Sequence, residues 1–320
     1  MIDIEDYENE IGNSILHTAC KRGEKDKVIN LINNKFQLDI LNNKDNTPIM
    51  ECYENRYCES HNIKYITMML LKEGATFLGK NRYGNTLLHL SCRYGNYGVV
   101  AYILKASKGE KRFNIHKRNY YGYTAMMYAC FSGNLELIKL MVEYGASIFD
   151  RTYSHKYSHV NNMNSCICAA ANSDYDNPHI IKYLLDNGCN INDKTYYGTP
   201  IYLATSKGNI LIVETLLDNG SDIDNCNINM HTPLHVASIN GHLDIIRMLL
   251  SKGAKYLKNN YDRTPKKMTL IRDKNAEEID ELFDIWPVLM IIFIFIEEHI
   301  LFQLDFTNMC DLYEFIGLAE

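Results

Sequence analysis

Apolar residues recur along this chain at the spacing of amphipathic helices, and they do so in several separate blocks. Within each block apolar residues recur three and four positions apart, as at Ile210, Val213 and Leu217, which places them on one helical face. The clearest blocks are Leu135, Leu137, Ile138, Leu140, Met141 and Val142; Ile210, Ile212, Val213, Leu216 and Leu217; and Leu243, Ile245, Ile246, Leu249 and Leu250. Each is followed by glycine and a small residue, as at Gly253-Ala254, which predicts that the helix ends there.

A second, shorter pattern precedes these helices and repeats along the chain. It consists of a turn, then Thr or Ser, then apolar residues ending in Ala or Ser, and often Gly. The Thr or Ser lies at positions 14, 47, 86, 124, 165, 199 and 232, with an eroded copy at 264. Successive distances are 33, 39, 38, 41, 34, 33 and 32 residues. A hydroxyl at a helix start can cap free backbone amides, so the pattern predicts a short first helix in every unit.

One copy, Thr232-Pro233-Leu234-His235-Val236-Ala237, matches the ankyrin signature Thr-Pro-Leu-His-x-Ala at every specified position. The chain therefore resembles ankyrin-repeat proteins over roughly residues 8 to 279. The resemblance implies an all-α ankyrin-repeat solenoid of about seven to eight helix-turn-helix units with hairpin fingers, stacked to bury their apolar faces. We predict this solenoid over residues 1–279 and a separate apolar helical segment over residues 280–320.

Departures from the regular period indicate where the units differ. The longer spacings predict inserted loops at residues 53–62, 106–116 and 154–164. Gly198 lies one residue closer to the following Thr199 than in other copies, which leaves the register of that hairpin open. The Asn- and Tyr-rich composition resembles that of ankyrin proteins from giant DNA viruses of amoebae such as Mimivirus. Poxviruses and AT-rich protists also make such proteins.

The resemblance further implies where a partner binds, because hairpin tips and first helices line a concave face in proteins of this kind. Tyr and Arg are enriched at interaction hot spots. By register, the predicted partner-binding residues are Arg82, Tyr83, Arg93, Tyr94, Tyr120, Tyr121, Phe131, Tyr196, Tyr197, Lys207, Tyr261 and Arg263. The alternative is that Tyr is simply abundant in this chain and tolerated at the tips. We predict a non-enzymatic scaffold for a protein partner, either from a host or from the same organism.

Charge and cysteine content narrow the class of partner and the compartment. The 33 basic and 39 acidic residues give a net charge of −6, which argues against nucleic-acid binding because that requires concentrated Lys and Arg. The ten cysteines are irregularly spaced, and the acidic start of the chain lacks a secretory signal. We therefore expect reduced thiols and a monomer in the cytoplasm, which is the host cytoplasm if the protein is viral.

The histidines and cysteines do not form a convincing catalytic or metal site in the sequence. His17, His89 and His235 share one motif position in separate repeats, where the resemblance implies hydrogen bonds to neighbouring backbone. The best zinc candidate combines His155 and His159 with Cys166 and Cys168. A Cys-x-Cys spacing is unusual for zinc, and Cys168 falls on the motif's histidine position, which predicts a buried thiol. We expect no metal, no cofactor and no catalysis.

The C-terminal segment changes character, with 12 apolar residues from Ile285 to Ile296 before a Glu pair. A membrane span needs about 20 such residues, so this run favours a buried helix that starts near Pro287. A short helix over residues 310–317 is predicted to follow, and the two together favour a terminal cap. Two alternatives stay open. The segment can be a docking module resembling the F-box-like end of poxviral ankyrin adaptors that recruit a ubiquitin ligase, or a membrane attachment around Met290.

Overall fold

The computed structural model describes residues 12–54, 60–152, 165–195, 197–269 and 275–299. They fall into two compact units, residues 1–170 and 171–320. In these described ranges the structure is helical, with isolated β-bridges in place of strands. The α-helices are α1 Ile15–Arg22, α2 Lys25–Asn33, α3 Pro48–Glu51, α4 Ser60–Lys72, α5 Leu87–Arg93, α6 Tyr97–Ala106, α7 Ala125–Phe131, α8 Leu135–Glu143, α9 Cys166–Ala171, α10 Pro178–Asp186, α11 Pro200–Lys207, α12 Ile210–Asp218, α13 Pro233–Asn240, α14 Leu243–Ser251 and α15 Ala276–His299.

Helices of the same kind stack on one another inside each unit. In the first unit α1, α3, α5 and α7 contact one another in chain order, as do α2, α4, α6 and α8. In the second unit α11 contacts α13, while α10, α12, α14 and α15 form the parallel row. The all-α fold of paired helices predicted from the two repeating patterns is confirmed.

The core of each unit is built from equivalent positions of the repeated motif. The apolar residue two places after each Thr or Ser is at most 3% exposed in every described copy. These residues are Leu16, Ile49, Leu88, Met126, Ile167, Ile201 and Leu234. Burial of the same position in successive repeats fits a stack in which neighbouring repeats cover one another's apolar surface, because a single repeat cannot bury its own.

The starts of the first helices follow the predicted capping only in part. Ser14, Thr124 and Thr232 accept hydrogen bonds from backbone amides in the first turn of α1, α7 and α13. Thr47 and Thr199 make no such bond, and their hydroxyl groups are buried without a partner. A Thr at the motif position therefore does not form the side-chain cap in every repeat.

In the eighth copy of the motif a short 3-10 helix, Lys266–Met268, stands where the first helix begins in the other copies. The second helix of this copy is longer than the earlier ones. The next helix, α15, begins as earlier second helices do. The Asn275 side chain donates to the Gly241 carbonyl at 3.0 Å, much as Asn134 donates to Gly95 at 3.2 Å. The domain boundary predicted at residue 279 falls inside α15.

The apolar run of the C-terminal segment continues the same helix. Pro287 lies inside α15, so the prediction that it starts a helix is wrong. The physical reason is upstream packing, because Ile279, Leu282 and Phe283 are already buried on one helical face before the proline is reached. The short helix predicted at residues 310–317 lies outside the described residues.

Candidate partner-binding surface

Five of the described hairpin fingers are each held by one asparagine at the base. The Asn81 side-chain oxygen accepts hydrogen bonds from the amides of Tyr83 and Asn85, at 3.1 and 3.0 Å. The Asn119 oxygen accepts from Tyr121 and Tyr123 in the same way, at 3.0 and 2.9 Å. Asn42, Asn227 and Asn259 repeat the arrangement. The finger backbone is therefore fixed locally, and the tip side chains start from a rigid base.

Neighbouring fingers of the first unit are also joined through their backbones. The Arg82 amide donates to the Lys44 carbonyl at 3.0 Å, and the Tyr120 amide donates to the Tyr83 carbonyl at 2.9 Å. Gly84 permits this approach, because it adopts a φ of +76° and a Cβ there would lie 2.9 Å from the Tyr120 nitrogen. In the second unit the Asn260 amide donates to the Asn229 carbonyl at 3.1 Å.

The finger before α11 has a shorter loop, which answers the question of register left open by the sequence. Thr195 takes the place of the asparagine, and its hydroxyl accepts from the amides of Tyr197 and Gly198, both at 3.1 Å. The closing backbone bond runs from Thr195 to Gly198, three residues on, where other fingers span four. Tyr196, a predicted binding residue at this tip, lies outside the described residues.

The motif histidines join each first helix to the finger of the next repeat. His17, His89 and His235 approach the carbonyl oxygens of Asn46, Tyr123 and Arg263 with Nε2, at 3.0, 3.2 and 3.1 Å. Nδ1 of each ring accepts from the backbone amide of its own N-cap residue. Because Nδ1 is an acceptor and Nε2 faces a carbonyl, the geometry requires the neutral ring with hydrogen on Nε2. The structural role predicted for these histidines is confirmed.

Burial keeps these rings neutral. It lowers the pKa of His89 to about 4, and it also lowers the pKa of His17 and His235. The backbone hydrogen bond to each ring acts in the opposite direction but does not outweigh burial.

The predicted residues at two fingers of the first unit form a continuous aromatic row. The Tyr83 and Tyr121 rings stack with centroids 6.3 Å apart, and Tyr121 stacks on Tyr123 at 6.4 Å. The Arg82 guanidinium lies over the Tyr83 ring at 4.9 Å and donates to its hydroxyl at 2.6 Å. Tyr120 is 51% exposed beside this row. The structure thus brings Arg82, Tyr83, Tyr120 and Tyr121 together.

The predicted residues on the first helices extend this surface. Arg93, at the end of α5, is exposed and lies over the Tyr128 ring at 5.9 Å. Tyr94 follows it, but its hydroxyl donates to the Tyr53 carbonyl at 2.6 Å, so this side chain also supports the fold. Phe131 ends α7 and is half-buried.

In the second unit the predicted residues are more dispersed. Lys207, at the end of α11, is paired with Asp174 at 2.5 Å. Tyr261 is 64% exposed, and Arg263 in the same finger is exposed while its carbonyl accepts from His235. Tyr197 is half-buried. The structure brings Tyr261 and Arg263 into one finger, but Tyr197 and Lys207 belong to the repeat of α11, two repeats earlier.

Sequence reasoning missed three residues of this arrangement, which are the exposed Lys80 and the buried Tyr123 and Tyr128. The Lys80 ammonium lies over the Tyr120 ring at 5.1 Å. The Tyr123 and Tyr128 rings meet edge to face at 5.9 Å and connect the finger row to α7. A signal was present in the sequence, since Lys80 lies in residues 78–95 and Tyr128 in residues 116–133, two segments that contain the tip residues and no Asp or Glu.

The described part of the chain contains no group of three or more His, Cys, Asp or Glu side chains able to hold a metal ion. Of the zinc candidate, His155 and His159 lie outside the described residues. Cys166 and Cys168 are buried in α9, and a hydrogen bond with Cys130 together with burial raises the pKa of the Cys166 thiol. All eight cysteines in the described ranges are free thiols. Among the described helices, α15 included, none has the length and apolar character of a membrane span.

A sequence model described as "Ankyrin repeats (3 copies)" matches residues 58–152 and 159–262, which is more than half of the chain. The chain belongs to the ankyrin-repeat family. Ankyrin-repeat domains are scaffolds for protein–protein interaction.

Similar proteins of known name contain ankyrin repeats as part of longer chains. The B-cell lymphoma 3 protein homolog of Mus musculus is 25% identical over 230 residues, covering 70% of this chain and 48% of the relative. Ankyrin repeat protein OPG189 of Variola virus is 28% identical over 216 residues, covering 61% of this chain and 38% of the relative. The chain therefore spans about half the length, or less, of these relatives. The ankyrin repeat domain of Bcl-3 aligns over 74% of this chain and 100% of that domain, with a TM-score of 0.47 and 26% identity.

Proposed function

We propose that this ankyrin-repeat protein binds a protein partner on the finger and first-helix surface of its first unit. The surface, which we call the Tyr/Arg face, consists of Lys80, Arg82, Tyr83, Arg93, Tyr94, Tyr120, Tyr121 and Phe131, and the buried Tyr123 and Tyr128 support it. The observation that carries the proposal is the stack of Tyr83, Tyr121 and Tyr123, of which the first two are partly exposed, on fingers whose backbones are fixed by Asn81 and Asn119.

Rigid aromatic side chains favour binding for a physical reason. A tyrosine offers a large contact area, and little rotamer entropy remains to be lost when it already stacks on a neighbour. Arginine placed over an aromatic ring is likewise held in position before a partner arrives. In the second unit Tyr261 and Arg263 offer a smaller patch, which we propose as a secondary contact.

A photocrosslinking experiment tests this location. A photoreactive phenylalanine analogue is placed at Tyr120 of the full chain, and cells of the source organism or its host supply the partner. The matched control carries the analogue at Tyr65, which is 45% exposed on the second helix α4. We expect protein adducts from position 120 and few from position 65. Adducts only from position 65, or from neither, would show that the Tyr/Arg face is not the binding site.

For the C-terminal segment we propose a structural role, as the cap of the second unit. Ile279, Leu282, Phe283, Trp286 and Leu289 recur at helical spacing in α15, and all are at most 8% exposed. The helix contacts α14, and the Tyr256 ring meets the Phe283 ring edge to face at 5.4 Å. A buried apolar face of this kind completes the last repeat.

We also propose the oligomeric state and lack of catalysis, the cellular compartment and the source of this protein. We propose that the protein acts as a monomer and without catalysis, and the second point is supported by its membership of a family of non-catalytic interaction modules. The eight free cysteines support work in a reducing cytoplasm. The Asn- and Tyr-rich composition and the match to a Variola virus protein support a viral source, for which the compartment is the host cytoplasm.

A further inference from the structure

The charge of the Tyr/Arg face is opposite to that of the whole chain. Residues 78–95 and 116–133, which hold two fingers with their first helices, contain no Asp or Glu. They contain five cationic residues, Lys80, Arg82, Arg93, Lys117 and Arg118. The chain as a whole has a net charge of −6. Positive charge is therefore concentrated where the aromatic row lies.

Three of these cations have no acidic partner among the described residues. Lys80, Arg82 and Arg93 are exposed, and each lies over a tyrosine ring, at 5.1, 4.9 and 5.9 Å from the ring centre. Arg118 differs, since it pairs with Asp150 at 3.7 Å and donates to the carbonyls of Gly122 and Arg151.

Some cations of the second unit are neutralised within that unit. The pairs are Lys207–Asp174, Arg247–Glu278, Lys252–Asp218, Lys258–Asp262 and Lys266–Asp284, at 2.5 to 2.7 Å. Exposed cations outside such pairs also occur there, as at Lys182 and Lys194. Lys80, Arg82 and Arg93 are distinguished by their grouping beside the aromatic row, within two segments that contain no Asp or Glu.

Tyrosine rings hold these cations without removing their charge. A ring attracts a cation through its quadrupole, which fixes the position of the side chain but leaves its hydrogen-bond donors directed to solvent. The Arg82 guanidinium uses one donor on the Tyr83 hydroxyl, and most of its five remain for a ligand. A carboxylate suits these donors because Arg can bind it through two parallel bonds.

We infer that the Tyr/Arg face binds an acidic segment of the partner protein, with Asp or Glu side chains placed against Lys80, Arg82 and Arg93. This inference rests on the proposed function and specifies the chemistry of its partner. A nucleic acid fits less well, because three unpaired cations on a chain of net charge −6 give little counterion release. Peptide carboxylates need only a few matched contacts, and the neighbouring tyrosines supply apolar area for the peptide between them.

The first experiment is a selection of peptides from a random displayed library by the full-length protein. Three forms are compared: the natural chain, the reversed form Lys80→Glu/Arg82→Glu/Arg93→Glu, and a control form Lys64→Glu/Lys105→Glu/Lys111→Glu. The three residues changed in the control form are exposed and lie outside the Tyr/Arg face. The control form has the same net charge as the reversed form. We expect the natural and control forms to select peptides enriched in Asp and Glu, and the reversed form to lose that enrichment.

The second experiment measures affinity by fluorescence anisotropy with one selected peptide and its Asp→Asn, Glu→Gln version. Three exposed ion pairs predict binding at least about tenfold weaker for the reversed form, and a similar loss for the neutral peptide. The affinity of the natural form should fall as salt is raised, because exposed charges are screened. A short single-stranded DNA of mixed sequence serves as the polyanion control and should bind no more tightly than the neutral peptide.

The possible failures separate the inference from the proposed function. In one outcome the selected peptides lack enrichment in Asp and Glu and yet bind more weakly to the Tyr83→Ser/Tyr121→Ser variant. That result would overturn the acidic specificity but leave the proposed binding face intact. Tighter binding of the DNA than of any selected peptide would overturn it in favour of a phosphate ligand. Selection of the same peptides by all three forms, or of none, would count against the inference. Absence of adducts at position 120 in the crosslinking experiment would then remove the proposed function as well.

Discussion

Single residues connect neighbouring repeats in this protein, and the motif histidine is the clearest of them. His89 is 1% exposed, accepts from the Thr86 amide with Nδ1 and faces the Tyr123 carbonyl with Nε2. Both contacts require the neutral ring, since a hydrogen on Nδ1 would oppose the Thr86 N–H. His17 and His235 make the equivalent contacts, so the stability of both units is coupled to the protonation of a repeated side chain.

Stability should therefore fall at mildly acidic pH. The folded-state pKa of His89 is about 4, below the usual value of 6.5, so the unfolded chain binds the proton more tightly. The contribution is fully present above pH 6.5 and is lost as the pH falls from 6.5 towards 4. Between pH 7.5 and 5 this one group costs about 2 kcal/mol of unfolding free energy. Urea unfolding at the two pH values measures the change.

The matched variants for this prediction are His89→Gln and His116→Gln. Gln at position 89 can still bond to the Thr86 amide but does not titrate, so the variant should lose less stability between the two pH values. His116 is exposed, and its replacement should leave the pH dependence as it is. Equal pH dependence in the natural chain and His89→Gln would contradict the assignment.

Gly84 controls the contact between two fingers, and its replacement tests how much that contact contributes. Gly84→Ala introduces a side chain at φ +76° and places its Cβ 2.9 Å from the Tyr120 nitrogen. The matched control is Gly109→Ala, which has φ +89° and no atom within 4 Å of the added Cβ. Backbone strain predicts a loss of about 1 kcal/mol for the control and about 2–3 kcal/mol for Gly84→Ala. Denaturant unfolding measures the loss of unfolding free energy in both variants. Equal losses would show that the contact between the two fingers contributes nothing to stability.

At the scale of elements, the helices that obey the motif were predictable and the terminal ones were not. The first helix α13 follows from Thr232-Pro233 at its start and Gly241 at its end, both of which are local signals. The length of α15 is a tertiary effect. Burial of Trp286 and Leu289 favours a continuous helix, although Pro287 between them lacks an amide and is a poor residue for a helix interior.

This conflict predicts that Pro287→Ala stabilises α15. Pro287 is exposed, so its replacement creates no cavity and restores the amide that can donate to the Phe283 carbonyl. An interior proline costs about 3 kcal/mol in a helix, and part of this should appear as a higher melting temperature and slower amide exchange in α15. The control is Glu281→Ala, an exposed change in the same helix that should alter stability by less than about 0.5 kcal/mol. A less stable Pro287→Ala would show that the buried face depends on the proline.

At the scale of the whole molecule, the place of the proposed binding surface and its Tyr and Arg residues could be predicted from the repeat register, but the contacts among its side chains could not. The tip residues Tyr83 and Tyr121 lie at equivalent places of two copies, so their proximity follows from stacking. The contact of the Lys80 ammonium with the Tyr120 ring joins positions 40 residues apart in the chain. Whether such side chains meet depends on how closely two fingers approach, which is set by Gly84 and the Asn119 network.

Truncation of the chain at the end of the second unit tests how far the stability of one repeat depends on the repeat that follows it. A chain ending at Asp284 keeps Ile279, Leu282 and Phe283 but removes Trp286 and Leu289, which are 8% and 3% exposed. Loss of a buried Trp alone costs about 3–5 kcal/mol. Because each repeat contacts only its neighbours, amide exchange should accelerate most in α13 and α14 and least in α10. A chain ending at His299 keeps all of α15 and isolates the effect of residues 300–320. Unchanged exchange in the Asp284 form, together with loss of one set of crosslinked partners, would show that the segment recruits a protein rather than capping the fold.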